Sequence, residues 1–157
     1  MDYQMVKKMI EKDRMKHLLI PLQIISLASP LRGKIKLQKL VFLTQNKSDK
    51  QVNYGFEPAP LGPLSDELNS TLTHMSELGL IHETVEKTSS GNEVFCYSIT
   101  KSGSQFLDFG TEFGNLSSKT KNIIESVYSK YGKMSYVELL DYIHEEFPEY
   151  HIKNINF

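Results

Sequence analysis

The chain has 157 residues, enough for one compact domain or one domain with a small helical extension, and too few for two independent enzyme domains. Hydrophobic residues make up 39% and charged residues 24%, which argues against disorder and leaves material for a real core. The formal net charge of −1 conceals segregation: residues 1–50 carry a net +7, residues 51–116 a net −7 and residues 117–157 a net −1. Such a pattern fits either a partner of opposite sign or two parts of the chain that attract each other across the fold. The longest apolar run, Leu18 to Leu22, contains Pro21 and falls far short of the roughly 20 residues of a membrane span. Met1 to Arg14 has no apolar stretch of the kind that secretory signals carry, and the lone Cys96 excludes an internal disulfide and a four-thiolate zinc site. A soluble, cytoplasmic protein without membrane contact is expected.

In chain order, the spacing of Met15, Leu18, Leu19, Leu22 and Ile25, with Ile10 further back, predicts a helix over about 5–28 that Pro21 should kink or break. Ser29-Pro30 ends it and Gly33 frees the chain to turn. A second helix over about 34–46 places Leu37, Leu40, Val41 and Thr44 on one side. Residues 48–63 hold Gly55, Pro58, Pro60, Gly62 and Pro63 and read as a long loop with room for a short strand at Tyr54 and Phe56. Ser65 is placed to cap a third helix, with Asp66 and Glu67 at its positive end and a buried stripe of Leu68, Leu72, Met75 and Leu78. Gly79 supplies a left-handed stop. Strands over 80–86 and 94–99, joined by the polar tip Thr88 to Asn92, make a hairpin. Thr100 caps a short helix to about Phe109, and Gly110, Gly114 and Asn115 link it to a tail of two helices. The second of these opens with a Ser135–Glu138 capping box flanked by Met134 and Leu139.

Three helices followed by a hairpin is the order of a winged helix-turn-helix. The expected fold is therefore α+β and mainly helical, with a winged-helix domain over 1–114 and a helical extension over 115–157 that packs on it or mediates dimerisation. The stretches Leu37-Gln38-Lys39-Leu40-Val41-Phe42-Leu43, Tyr54 with Phe56, Gly62-Pro63-Leu64-Ser65-Asp66-Glu67-Leu68 and Leu78-Gly79-Leu80-Ile81 resemble the YwgA-like family of prokaryotic proteins. More distantly they are similar to the SocA-like Panacea domain of antitoxins, and the tail from Lys130 to Glu149 is similar to the family's last helices. The order of these stretches carries the resemblance, with Gly62, Pro63, Ser65 and Gly79 as its structural positions. Where the family pattern has aromatic residues around the Gly-Pro pair, this chain has Leu61 and Leu64. The YwgA-like resemblance implies a winged-helix core and carries no established activity, while the likeness to antitoxin-associated domains suggests a non-catalytic regulatory module.

A winged helix that reads DNA lays its third helix in the major groove, where cations neutralise phosphates. Here that helix has Asp66, Glu67 and Glu77 and no Lys or Arg, and the hairpin sets Glu83, Glu86 and Glu93 against Lys87. The sign is wrong for standard docking. The cationic candidate is instead the second helix, where Lys36, Lys39 and Lys47 fall within roughly 80° of one another, with Arg32, Lys34 and Lys50 close by. This is either a solvated helix face or a docking surface for an acidic partner or a phosphate backbone.

No catalytic constellation is visible. Cys96 lies within a strand, the five histidines lack metal spacing, and there is no nucleophile elbow, P-loop or dinucleotide fingerprint. No cofactor, metal or small-molecule substrate is expected. The reading is a non-catalytic regulatory module that binds another protein, through Arg32, Lys34, Lys36, Lys39, Lys47 and Lys50 or through the acidic face of Asp66, Glu67, Glu77, Glu83 and Glu86, with a homodimer as an option. The alternative is a DNA-binding transcriptional regulator that uses the basic amino-terminal third.

Overall fold

The computed structural model describes residues 3–48, 54–112 and 116–152. Among the described residues the architecture is α+β and mostly helical. The elements run α1 (Tyr3–Ala28), β1 (Leu31–Arg32), α2 (Lys34–Lys47), α3 (Asp66–Glu77), β2 (Ile81–Lys87), β3 (Glu93–Ile99), α4 (Lys101–Glu112), α5 (Ser118–Tyr131) and α6 (Tyr136–Glu146), closed by a 3-10 turn, Pro148–Tyr150. The sheet is antiparallel in the order β1-β3-β2. The hairpin register runs from Ile81 opposite Ile99 to Lys87 opposite Glu93, while Leu31 and Arg32 pair with Tyr97 and Cys96.

Short-range chemistry sets the ends of these elements. The Leu68 N–H donates to the Ser65 hydroxyl at 3.1 Å, the Gly103 N–H to that of Thr100 at 2.9 Å and the Glu138 N–H to that of Ser135 at 3.2 Å, each filling an orphan donor of a first helical turn. At the end of α3, Leu80 N–H reaches the Met75 carbonyl and Gly79 N–H reaches that of Ser76, both at 3.0 Å. This paired pattern requires a left-handed residue, and Gly79 has φ +75°.

Packing departs from the expectations in several places. Every residue of α2 from Leu37 to Thr44 is buried, not one side of it, because α1, α5, α6 and β3 surround the helix. Leu78 lies on the surface, 52% exposed, since the chain has already left the helix at that point; Leu68, Leu72 and Met75 carry the stripe alone. Gly110 sits inside α4 instead of a linker, and a side chain there would strike Leu19 at 2.7 Å, so it lets α4 close on α1. Strand β1 was not expected; two residues carry no periodicity, and only β3 defines them. Gly114, Asn115 and Lys50 lie outside the described residues, as do the side chains of Ile10 and Met15.

Helix α1 runs through Pro21 without a break. A proline has no N–H for the carbonyl four residues before it, here that of His17. The hydroxyl of Tyr54 donates to that carbonyl from the following loop. Tyr54 is itself buried, its ring edge-on to the imidazole of His17 at 4.9 Å, and burial pushes its hydroxyl above the usual tyrosine range. The proline gap thus fixes where the 54–64 segment crosses α1. The apolar sides of α5 and α6 contribute Ile124, Val127, Tyr131, Leu139 and Ile143 to the same core cluster as α1 and α2.

Candidate functional site

Two polar side chains on α2 organise the surface around it. The Gln38 amide receives the Ser65 N–H on its oxygen at 3.0 Å and donates from its nitrogen to the Ser65 carbonyl at 3.0 Å and to Asn69 Oδ1 at 2.9 Å. One side chain therefore fixes the entry to α3 as a backbone partner would. The next residue, Lys39, is fully buried, and its ammonium donates to the Leu61 carbonyl. Burial lowers its pKa to about 8. Gly62, φ +101°, makes room for it: a Cβ there would lie 3.2 Å from Lys39 Nζ and 3.1 Å from Leu140. The turn is closed by Gly62 N–H to the Ala59 carbonyl and by reciprocal bonds between Glu57 and Leu64, all at 2.9 Å.

These contacts place Leu64 in the lining of a groove of about 720 Å³, bounded by the start of α2, the hairpin and the start of α6. Its cations are Arg32, Lys34 and Lys36, and its apolar wall includes Phe95 and Tyr136. Arg32 reaches Glu86 at 2.8 Å, but both side chains are more than half exposed, so that pair contributes little to stability. The Lys34 ammonium stands 4.6 Å above the ring of Phe95. Lys36 is half-buried, and its pKa is lowered by that burial against the opposing pull of Glu138. Tyr136 and Leu64 remain 47% and 41% exposed. Gly33, which precedes α2, offers no side-chain cap and donates its own N–H to Phe95 at 2.8 Å. The first N–H groups of α2 therefore face this end of the molecule without an internal cap.

The six basic residues expected to act together divide. Arg32, Lys34 and Lys36 line the groove. Lys39 does not belong to an exposed stripe, because the face of α2 that carries it is covered by the Leu61–Gly62 turn and α6. Lys47 is at the far end of α2, 5.6 Å over the ring of Tyr131, in a separate depression of about 430 Å³ beside α5. Lys50 is outside the described residues. The acidic residues also disperse: Asp66 and Glu77 are exposed on α3, Glu67 Oε1 lies 3.1 Å from His17 Nε2, Glu83 is half-buried in β2, and Glu86 meets Arg32. The pairs His17–Glu67 and Arg32–Glu86 join the cationic first third of the chain to the anionic second. Gly62 and Pro63 are buried turn residues, Ser65 is the buried cap of α3, and Gly79 its terminator.

Sequence reasoning missed Gln38, Leu64, Phe95 and Tyr136 as neighbours. No spacing in the sequence links these positions, which come from four separate stretches of the chain. Among the described residues no cluster of three or more His, Cys, Asp or Glu side chains is arranged to hold a metal ion. No helix among them is long and apolar enough to cross a membrane. Cys96 is buried in β3 with a free thiol.

The protein is thus mostly helical α+β with a small antiparallel sheet, and the groove lies where α2, the hairpin and α6 meet. Residues 37–148 match the family described as antitoxin SocA-like, Panacea domain, and the chain belongs to that family. It is 30% identical over 90 residues to the uncharacterized protein YwgA of Bacillus subtilis strain 168, a match that covers 55% of this chain. The chain spans about half, 51%, of the length of that relative. A solved structure of a candidate transcriptional regulator from Thermoplasma acidophilum is similar over 70% of this chain and 93% of its own, with a TM-score of 0.47 and 24% sequence identity.

Proposed function

We infer that this protein is a winged-helix regulatory module that acts by binding another protein, and that it does so without catalysis. The winged-helix reading is supported by the element order α1, β1, α2, α3, β2, β3 and by the sheet order β1-β3-β2. Membership in an antitoxin-like family supports a regulatory role fulfilled by contact with a partner. The observation that carries the choice of a protein over DNA is the sign of the elements a winged helix lays on DNA. Helix α3 exposes Asp66, Glu67 and Glu77, and the hairpin exposes Glu86 and Glu93 against Lys87. Phosphates meeting these carboxylates are repelled, and counterion release has no cations on α3 to drive it.

The burial of Lys39 also removes one of the lysines on which the DNA reading depended. In this proposal the winged helix and the α5–α6 extension act as one unit, and a homodimer would use surfaces other than the buried stripes of α5 and α6. The test is fluorescence anisotropy with a mixed-sequence duplex at about 50 and 200 mM salt, together with crosslinking in the native host and reconstitution of any crosslinked pair from purified components. The expected result is no salt-dependent duplex binding and a stoichiometric complex with one protein. Duplex affinity that falls steeply with salt overturns the reading in favour of a DNA-binding regulator.

A further inference from the structure

We propose that the groove between α2, the hairpin and α6 docks a short segment of a partner protein in which an aromatic or branched apolar side chain is flanked by carboxylates. This rests on the protein-binding reading above and names the surface and the chemistry it selects. The volume, about 720 Å³, is in the range that encloses a few side chains. Leu64 and Tyr136, both in its lining, leave 41% and 47% of their surface in water. An apolar anchor seated between them removes that surface from water, the main non-directional drive to association. Tyr136 and Arg32 are of the residue classes that dominate binding at such anchors.

Charge decides what flanks the anchor. Among the described residues the groove lining sets three cations against one carboxylate, Glu93; Glu86 beside Arg32 and Glu138 acting on Lys36 offset part of that charge from outside the lining, and the remaining excess of cations in the lining favours an anionic segment. The Arg32–Glu86 pair is exposed and weak, so its guanidinium can be taken over by an incoming carboxylate, which it would hold in bidentate fashion. The uncapped start of α2 adds the positive end of a helix dipole to the same space. Carboxylates stand on the hairpin side of the groove, Glu93 in its lining and Glu86 beside Arg32. A long polyanion would run its charge past the cations onto both, whereas a short peptide can set one carboxylate on Arg32 and its apolar anchor between Leu64 and Tyr136. The anionic occupant is therefore a peptide segment and not a nucleic acid backbone.

The full chain is panned against a phage-displayed random 12-residue library, and enriched sequences are resynthesised with a fluorescent label for anisotropy. Enrichment of Phe, Tyr, Trp or Leu flanked by Asp or Glu is expected. Tyr136→Ala and the double variant Lys34→Gln with Lys36→Gln should each weaken binding by about tenfold or more, whereas Lys119→Gln with Lys130→Gln on α5 should leave it unchanged. All of these positions are at least partly exposed, and unchanged circular dichroism would verify the fold. Enriched peptides that bind wild type and groove variants equally overturn the groove while leaving a protein-binding role intact. Absence of any enriched peptide also overturns it; if salt-steep duplex binding accompanies that absence, both readings fall. A sedimenting dimer that Tyr136→Ala converts to monomer assigns the groove to a second copy of this chain and overturns the proposal likewise.

Discussion

Replacing Tyr54 with Phe removes a single hydroxyl from a buried ring. That hydroxyl is the donor to the His17 carbonyl, which Pro21 leaves without its usual helical partner. A buried carbonyl deprived of such a donor costs about 1–3 kcal/mol, and because the edge-on contact with His17 survives, a loss near ~1.5 kcal/mol is expected. A second substitution separates this cause from general loosening. Pro21→Ala restores an N–H directed at the same carbonyl, so in that background Tyr54→Phe should cost about 1 kcal/mol less, the remainder reflecting the hydroxyl's other hydrogen bond, to Thr71. Lost proline packing and altered unfolded-chain entropy enter both members of each pair and cancel in the cycle. Urea unfolding of the four proteins, followed by circular dichroism, should therefore yield a coupling of about 1 kcal/mol. An equal cost of Tyr54→Phe in the two backgrounds refutes the pairing of this tyrosine with the proline gap.

Lys39→Met should stabilise the protein at pH 7. The folded-state pKa of about 8 lies below the ordinary lysine value of 10.5, so the charged amine disfavours folding by ~3 kcal/mol at neutral pH. Losing its hydrogen bond offsets roughly 1 kcal/mol of the gain. Between those two pKa values the folded state binds fewer protons, so wild-type stability rises with pH and its gap to the variant should narrow by ~2 kcal/mol from pH 7 to 10. A constant gap in parallel denaturant titrations would contradict the burial argument. His144 has a buried Nε2 with no hydrogen-bond partner among the described residues and stacks on His151 at 4.1 Å. Burial, and the charges of His151 and Lys39 beside it, lower its pKa against the opposing effect of Asp141. Stability should consequently fall as pH drops below the ordinary histidine value of 6.5, and His144→Leu should show a smaller drop in Tm from pH 7 to 5. Gly103→Ala would bring a Cβ within 2.0 Å of the Leu80 carbonyl and should lose ~2 kcal/mol or more, while Gly55→Ala meets nothing within 4 Å and should be near neutral in the same thermal melts.

Several features of this protein were legible because their causes lie within a few residues. Ser65, Thr100 and Ser135 each cap the helix that follows them, and Gly79 ends α3 in a left-handed turn, since caps and stops are chosen among neighbours in the chain. The hairpin follows from alternation and a polar tip for the same reason. The carboxylates of α3 and the segregation of charge were equally plain, because formal charge is a property of composition.

Tertiary structure decided the rest. A two-residue strand such as Leu31–Arg32 exists only because β3 supplies its partner. Pro21 reads as a break until a tyrosine from 33 residues further on fills the gap it opens. Lys36 and Lys39 sit on one face of α2 by angle, yet one lines a groove and the other is buried, since the cover over that face comes from the Leu61–Gly62 turn and α6. The groove brings together Arg32–Lys36, Leu64, Phe95 and Tyr136 from four separated stretches. Helical spacing records which residues share a face of their own helix. It carries nothing about which neighbour covers that face, because burial is a relation between segments and is settled when they pack.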